Sequence, residues 1–265
     1  FPAEEAWEED HCRIVPDETV RTEVGLLLLG RRDYTAALDM LVRGMSWDDA
    51  AYVAERVLTV DELTDFIAKR DKDAALTALP PKRNPWETQQ PSAISRLRYV
   101  LARRLARQGD WTKARPLWPA QTLPHADRYV AIMAIARDAK RADRDRAVAL
   151  YRAARLVRTY GLALLGTELD PDWGVYGGNN DGNTLARRGV AQAGERDFDH
   201  DFVPITGPAA LLAALGPTGD ERARVTRSAP TPNTRFHYRT TAAELMWQCG
   251  ERLPHCHNSS AAVVR

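Results

Sequence analysis

The sequence predicts an all-α fold: a solenoid of antiparallel helix pairs with an irregular, loop-rich C-terminal third. Three observations carry this expectation. Apolar residues recur at helical spacing over most of residues 18–165. Alanine and bulky residues return at matching offsets in three places, one interval being close to the length of a known helical repeat. Glycine, proline and asparagine then crowd into 166–234, where the helical texture is lost. The one alternating run, "RDFDHDFVPI" (196–205), is short and aspartate-rich, a poor strand former.

Taken in order, residues 1–17 form an N-terminal segment whose acidic run, Glu4, Glu5, Glu8, Glu9 and Asp10, suits a solvated stretch. Residues 18–165 form the helical-repeat region. Within it, "ETVRTEVGLLLLG" (18–30) and "DYTAALDMLVRGM" (33–45) make a first helix pair, with Gly25 where a small residue lets two helices meet closely. Ser46 caps "SWDDAAYVAERVL", whose acids suit the positive end of a helix dipole. Thr59 and Glu62 have the T-x-x-E spacing of a capping box and open "VDELTDFIAKR". Prolines break the chain over 71–91, a loop expected to pack through Trp86. From Ser92 a long amphipathic helix puts Ile94, Leu97, Leu101 and Leu105 on one face. The arginines of its "RLRYVLARRLAR" stretch are expected on a solvated face. "DWTKARPLW", "HADRYVAIMAIARDA" and "RDRAVALYRAARLVRTYGLALLG" continue the helices. Residues 166–234 read as a loop-rich insertion with short helices such as "GPAALLAALG". Residues 235–265 read as a terminal helix, "YRTTAAELMWQCGERL", and a tail.

The internal repeat is specific about positions. Gly109, Trp111, Ala114 and Trp118 are matched by Tyr34, Ala37 and Leu41 at the same offsets, and the second half recurs as Ala147, Tyr151 and Ala154. A small alanine where helices cross, with large residues in the adjoining holes, lets antiparallel pairs stack. This pattern resembles the tetratricopeptide repeat over roughly residues 18–165, although the first-helix tryptophan and terminal proline of that family are mostly missing. The segments "DAAYVAERVLTVDEL" and "TRFHYRTTAAELMW" also resemble parts of uncharacterised bacterial helical-repeat proteins thought to be exported. That resemblance implies a bacterial chain of extracytoplasmic, periplasmic location that is part of a longer protein or a shortened relative. The start at Phe1-Pro2-Ala3 fits a processed or trimmed product.

Composition bounds the partners. The 265 residues carry a net charge of +1, so no overall field favours nucleic acid or an anionic membrane. Of 37 basic residues only five are lysine, and the arginines are spread along helices with acids between them. No apolar run approaches the ~18 residues a membrane span needs. Cys12, Cys249 and Cys256 are too few and too irregular for a disulfide framework.

Candidate sites are few. "LDPDWGVYGGNNDGNTL" (169–185) lacks the spacing of a dinucleotide fingerprint and the G-K-[ST] of a Walker loop. Read as a calcium loop from Asp172, it puts Gly174, Tyr176 and Asn183 where oxygen ligands belong. It reads instead as a connector or partner-binding loop, with Trp173, Tyr176, Asn179, Asn180 and Asp181 as contact candidates beside Trp111 and Trp118. Trp111 and Trp118 also occupy repeat positions that ordinarily pack inward. Cys249, His255, Cys256 and His257 are a candidate metal set of irregular spacing. Asp197, Asp199, His200 and Asp201 are candidates for a hard metal or acid/base chemistry, or a plain acidic edge over an aromatic anchor. No catalytic signature is present. The expectation is therefore a non-catalytic protein–protein interaction or scaffolding module without cofactor, held to another protein or self-assembled. The alternative is a metal- or cofactor-binding subunit or enzyme using the Asp197–Asp201 or Cys/His cluster.

Overall fold

The computed structural model describes residues 16–82, 85–86, 88–166, 216–233 and 237–253. Among them are 11 helices and no strand, so the described chain is all-α. In order these are α1 (Pro16–Gly30), α2 (Tyr34–Arg43), α3 (Trp47–Tyr52), α4 (Val60–Arg70), α5 (Ala74–Thr77) and α6 (Ala93–Arg107). They are followed by α7 (Trp111–Ala114), α8 (Leu123–Arg137), α9 (Asp143–Leu164), α10 (Gly219–Ser228) and α11 (His237–Arg252). Helix α3 runs on into a π-helical turn, Val53–Val57, and α7 into a 3-10 turn, Arg115–Leu117.

One turn occurs three times. Arg32, Met45 and Gly109 have φ of 66°, 54° and 83°. The following residues, Asp33, Ser46 and Asp110, donate their amides back to Leu28, Leu41 and Leu105 at 3.0, 3.0 and 2.9 Å. This left-handed residue with a six-to-one hydrogen bond closes a helix by satisfying its last carbonyls. Each turn then starts the next helix with a polar cap, an aromatic residue and a buried alanine. Tyr34 precedes Ala37, Trp47 precedes Ala50 and Trp111 precedes Ala114, and all three alanines are 0% exposed. Asp33 and Asp110 accept from Ala36 N and Lys113 N, capping α2 and α7. Ser46 departs from its expected role. Its hydroxyl donates to the fully buried Asp49 carboxylate at 2.5 Å, a stronger charge-assisted bond than a cap to a backbone amide.

Close approaches show that the main pairs run antiparallel. A Cβ on Gly25 would lie 2.7 Å from Leu41 Cγ, and one on Gly44 would lie 2.6 Å from Thr22 Oγ1, so α1 and α2 touch in opposite order along the chain. Between α8 and α9, Arg146 reaches Ala136 O at 3.3 Å, while His125 stacks on Tyr160 at 3.7 Å. Between α9 and α11, a Cβ on Gly161 would meet Tyr238 Cβ at 2.7 Å, and Arg252 reaches Asp143 at the other end. Glycine is thus required where α1 meets α2 and where α9 meets α11.

The capping box of α4 forms as its spacing predicts, with Thr59 N on Glu62 Oε2 at 2.8 Å and Glu62 N on Thr59 Oγ1 at 3.1 Å. The face of Ile94, Leu97, Leu101 and Leu105 on α6 is buried. Trp86 does not anchor the 71–91 break, since it is 92% exposed; Leu76 on α5, at 2%, packs there instead. Helix α10 packs on the π-helical turn, although more than 160 residues of chain separate them. The linker between α10 and α11 contains a cis Thr231–Pro232 bond.

Candidate functional site

The least expected feature is a buried group of charges around the π-helical turn. All five residues Val53–Val57 are buried, including Glu55 at 0% and Arg56 at 2% exposure. The extra residue per π turn rotates both inward, and π turns of this kind collect at functional positions. Helix α6 brings Arg103 and Arg104, 0% and 5% exposed, and Arg107 to the same place. The solvated arginine face expected on α6 is therefore absent at these three positions: a carboxylate some 50 residues away draws them in.

The geometry is that of a clamp. Arg107 pairs with Glu55 Oε1 and donates to Leu165 O at 2.6 Å. Arg104 donates to Ala54 O at 2.6 Å and to Ser228 Oγ on α10 at 3.4 Å. Burial pulls the Arg104 guanidinium down to about 10, with Glu55 opposing and Arg107 and Arg56 adding to the fall. Burial pushes the Glu55 carboxyl up, but Arg107, Arg103, Arg56 and Arg104 together outweigh it and hold the acid below its ordinary range. The clamp extends to α10. Tyr52 donates to Glu221 at 2.9 Å and Tyr34 to Asp220 at 2.9 Å, and Arg224 bridges Asp220 and Glu62 at 3.1 and 2.8 Å. Glu62 is also held below its ordinary range: burial would raise it, and the Arg224 hydrogen bond and the Thr59 amide prevail. Carboxylates this firmly ionised are poor general acids; the arrangement joins α3, α6 and α10.

A second grouping is aromatic. Trp111 stacks on Trp118 at 6.4 Å and meets Tyr129 of α8 at 4.6 Å, while Tyr99 of α6 stands edge-on to Trp118 at 6.1 Å. Trp118 is 7% exposed, and its indole N–H has no hydrogen-bond partner among the described residues. Trp111 is half-buried against the core. The two tryptophans singled out in the sequence are thus brought together, and Tyr129 links them to a cleft.

That cleft, of about 350 Å³, opens between α8, α9 and α11. Met133, Leu150 and Leu245 give it apolar walls, and Arg137, Arg146 and Arg252 line it with guanidiniums. Asp143 at the start of α9 holds Arg146 at 3.2 Å and Arg252 at 3.4 Å. Burial raises the Tyr129 phenol, and the nearby Arg137 partly opposes it. The arginines are dispersed along the sequence and only the antiparallel order of the three helices collects them, so no local motif announces the cleft.

Trp173, Tyr176, Asn179, Asn180 and Asp181 lie outside the described residues, as do Asp197, Asp199, His200, Asp201, His255, Cys256 and His257. Cys249 is half-buried on α11, packed against the core. Among the described residues no three His, Cys, Asp or Glu side chains stand together as a metal site, and no helix is long and apolar enough to cross a membrane. Compared with known proteins, the chain matches no family model, no curated protein and no solved structure.

Proposed function

We propose that this chain is a non-catalytic interaction or scaffolding module built from tetratricopeptide-like helix pairs, with a second protein or further copies of itself as partner. The observation that carries the reading is the thrice-used turn followed by an aromatic residue and a fully buried alanine. Reuse of one helix–turn–helix device is how repeat proteins stack units into extended surfaces that hold partners. The antiparallel order of α1 with α2 and of α8, α9 and α11 supports the same reading. The close packing of α10 against the π-helical turn is an addition to a simple stack, in which each unit meets only its neighbours. The buried charges support a non-catalytic role, because they are spent on joining helices.

Native mass spectrometry of the protein purified gently from its source tests this. A stoichiometric protein partner or a self-assembled complex, free of small adducts, is the expected result. A monomer carrying a metal or organic adduct would overturn it and redirect attention to Cys249, His255, Cys256 and His257 and to Asp197–Asp201.

A further inference from the structure

We infer that the cleft between α8, α9 and α11 is a docking site for an acidic segment of a partner protein, in which carboxylate side chains alternate with apolar ones. The inference rests on the interaction-module reading and names the chemistry of the partner.

Charge is the first argument. Arg137 and Arg252 sit in the last turns of α8 and α11, and Asp143 sits in the first turn of α9. Helix termini carry about half a charge each. Three guanidiniums set against Asp143, two negative helix ends and one positive one leave a surplus of roughly one and a half positive charges. The arginines therefore exceed what helix capping and Asp143 use.

Donor geometry is the second. Asp143 takes Arg252 and Arg146 through one nitrogen each, and Arg146 Nε is spent on Ala136 O. Arg252 Nε is buried and has no hydrogen-bond partner among the described residues. The Arg252 side chain is part-exposed and gives Asp143 a single nitrogen, and a planar guanidinium of this kind can bind a further carboxylate. Arg137 stands exposed at the rim, placed to receive an incoming anion.

Shape and polarity are the third. Met133, Leu150 and Leu245 set apolar surface beside the guanidiniums, so the occupant presents charge and hydrocarbon at short spacing. A cleft of about 350 Å³ is at the small end for an enclosed ligand, and its size suits a few side chains of a longer chain. Tyr129 joins the cleft wall to Trp111, and aromatic side chains of this kind anchor protein interfaces.

The test uses the full chain and an array of hexapeptides in which Glu or Asp alternates with Leu, Phe or Val, beside the same array carrying Gln and Asn. Fluorescence anisotropy reads the affinities. The acidic peptides are expected to bind at least tenfold tighter than their amide counterparts. The preference should shrink as salt rises, and it should be lost in the Arg137→Gln, Arg252→Gln double variant while its helical circular dichroism is kept. Equal binding of acidic and amide peptides, or a preference the double variant keeps, would overturn the inference. Glutarate or inorganic phosphate competing at the same molar concentration as the best peptide would also overturn it, in favour of a small anion. If the double variant unfolds, Arg137→Gln alone, at the rim, must weaken the acidic peptides at least threefold. Should wild type and variant capture the same stoichiometric partner equally well, the cleft fails while the interaction-module reading stands. If the chain takes neither peptide nor partner, both fail.

Discussion

Arginine does opposite work in two regions of this molecule. Around the π-helical turn, Arg104 and Arg107 are drawn out of water onto main-chain carbonyls and Glu55, Arg103 is buried beside them over the Tyr99 ring, and the group ties α3, α6 and α10 together. In the α8–α9–α11 cleft, Arg146 and Arg252 share a single aspartate, and Arg137 forms no ion pair among the described residues. In both places the residue type is the same; what differs is how far the fold takes it out of water. Buried among other helices, the guanidiniums become architecture. Nearer the surface, they stay accessible.

The comparison breaks most sharply at Glu55. Glu55→Gln leaves Arg107, Arg103, Arg56 and Arg104 around a neutral side chain. Removing one partner of a buried ion pair costs on the order of 3–5 kcal/mol, because the remaining charge stays dehydrated. Urea unfolding monitored by circular dichroism is expected to show a loss of that order. A loss below about 1 kcal/mol would mean that the clamp does not hold the helices. Acid should act in the same direction. The folded carboxyls of Glu55 and Glu62 lie below their ordinary 4.5, so their stabilisation is complete above pH 4.5 and drains as pH falls through the lower folded values. His237, which burial holds below its ordinary 6.5 with the Pro232 carbonyl opposing, adds a loss that begins below pH 6.5.

The second region is held by contact rather than by charge. Gly161→Ala would drive a methyl group to 2.7 Å from Tyr238 Cβ, an atom fixed to the α11 backbone. Overpacking costs typically 1–3 kcal/mol, and better helix propensity returns up to about 1. A net loss of about 1–2 kcal/mol is expected, unaffected by salt. A neutral or stabilising result would show that α9 and α11 separate freely, and with them the walls of the cleft.

How much of this was legible in the sequence depended on the range of the cause. The α4 boundary followed from Thr59 and Glu62, two residues within one four-residue span that satisfy each other. The tight α1–α2 crossing followed from Gly25, because a missing side chain is visible in a single letter. The Tyr34–Ala37 and Trp111–Ala114 spacing marked the helix starts that follow two of the three recurrent turns. The third, and the left-handed Arg32 and Met45, stayed hidden because neither position carries the glycine that usually marks such a turn. The arginine clamp was hidden for a longer-range reason. Helical periodicity places Arg103 and Arg104 by their own helix, whereas their burial is decided by Glu55 and by a π turn that shifts the phase of its face. The cleft is a product of chain order among three helices, and no window of sequence contains it.

The repeated turn offers a finer test within the N-terminal half. Asp33 and Asp110 cap α2 and α7 through the same geometry. Asp33→Ala and Asp110→Ala should each lower the melting temperature by about 2–4 °C, the usual size of a lost cap in a chain of this length. Ser46→Ala should behave differently, because its hydroxyl serves the buried Asp49 carboxylate and not a backbone amide. Losing a hydrogen bond to a buried charge costs about 1.5–3 kcal/mol. Equal shifts for all three would mean that the turns are energetically interchangeable in spite of that bond.

The smallest expected effect is at the rim of the cleft. Arg137 is exposed at the end of α8 and forms no ion pair among the described residues, so Arg137→Gln should change stability by no more than about 0.5 kcal/mol, as for surface substitutions generally. Part of even that change is the lost interaction with the α8 dipole, which 0.5 M salt should erase. Set beside Glu55→Gln, a near-zero result separates arginines that hold the fold from arginines that do not. A loss above 1 kcal/mol would place Arg137 with the clamp residues, because a guanidinium needed for folding has little left with which to recruit a partner.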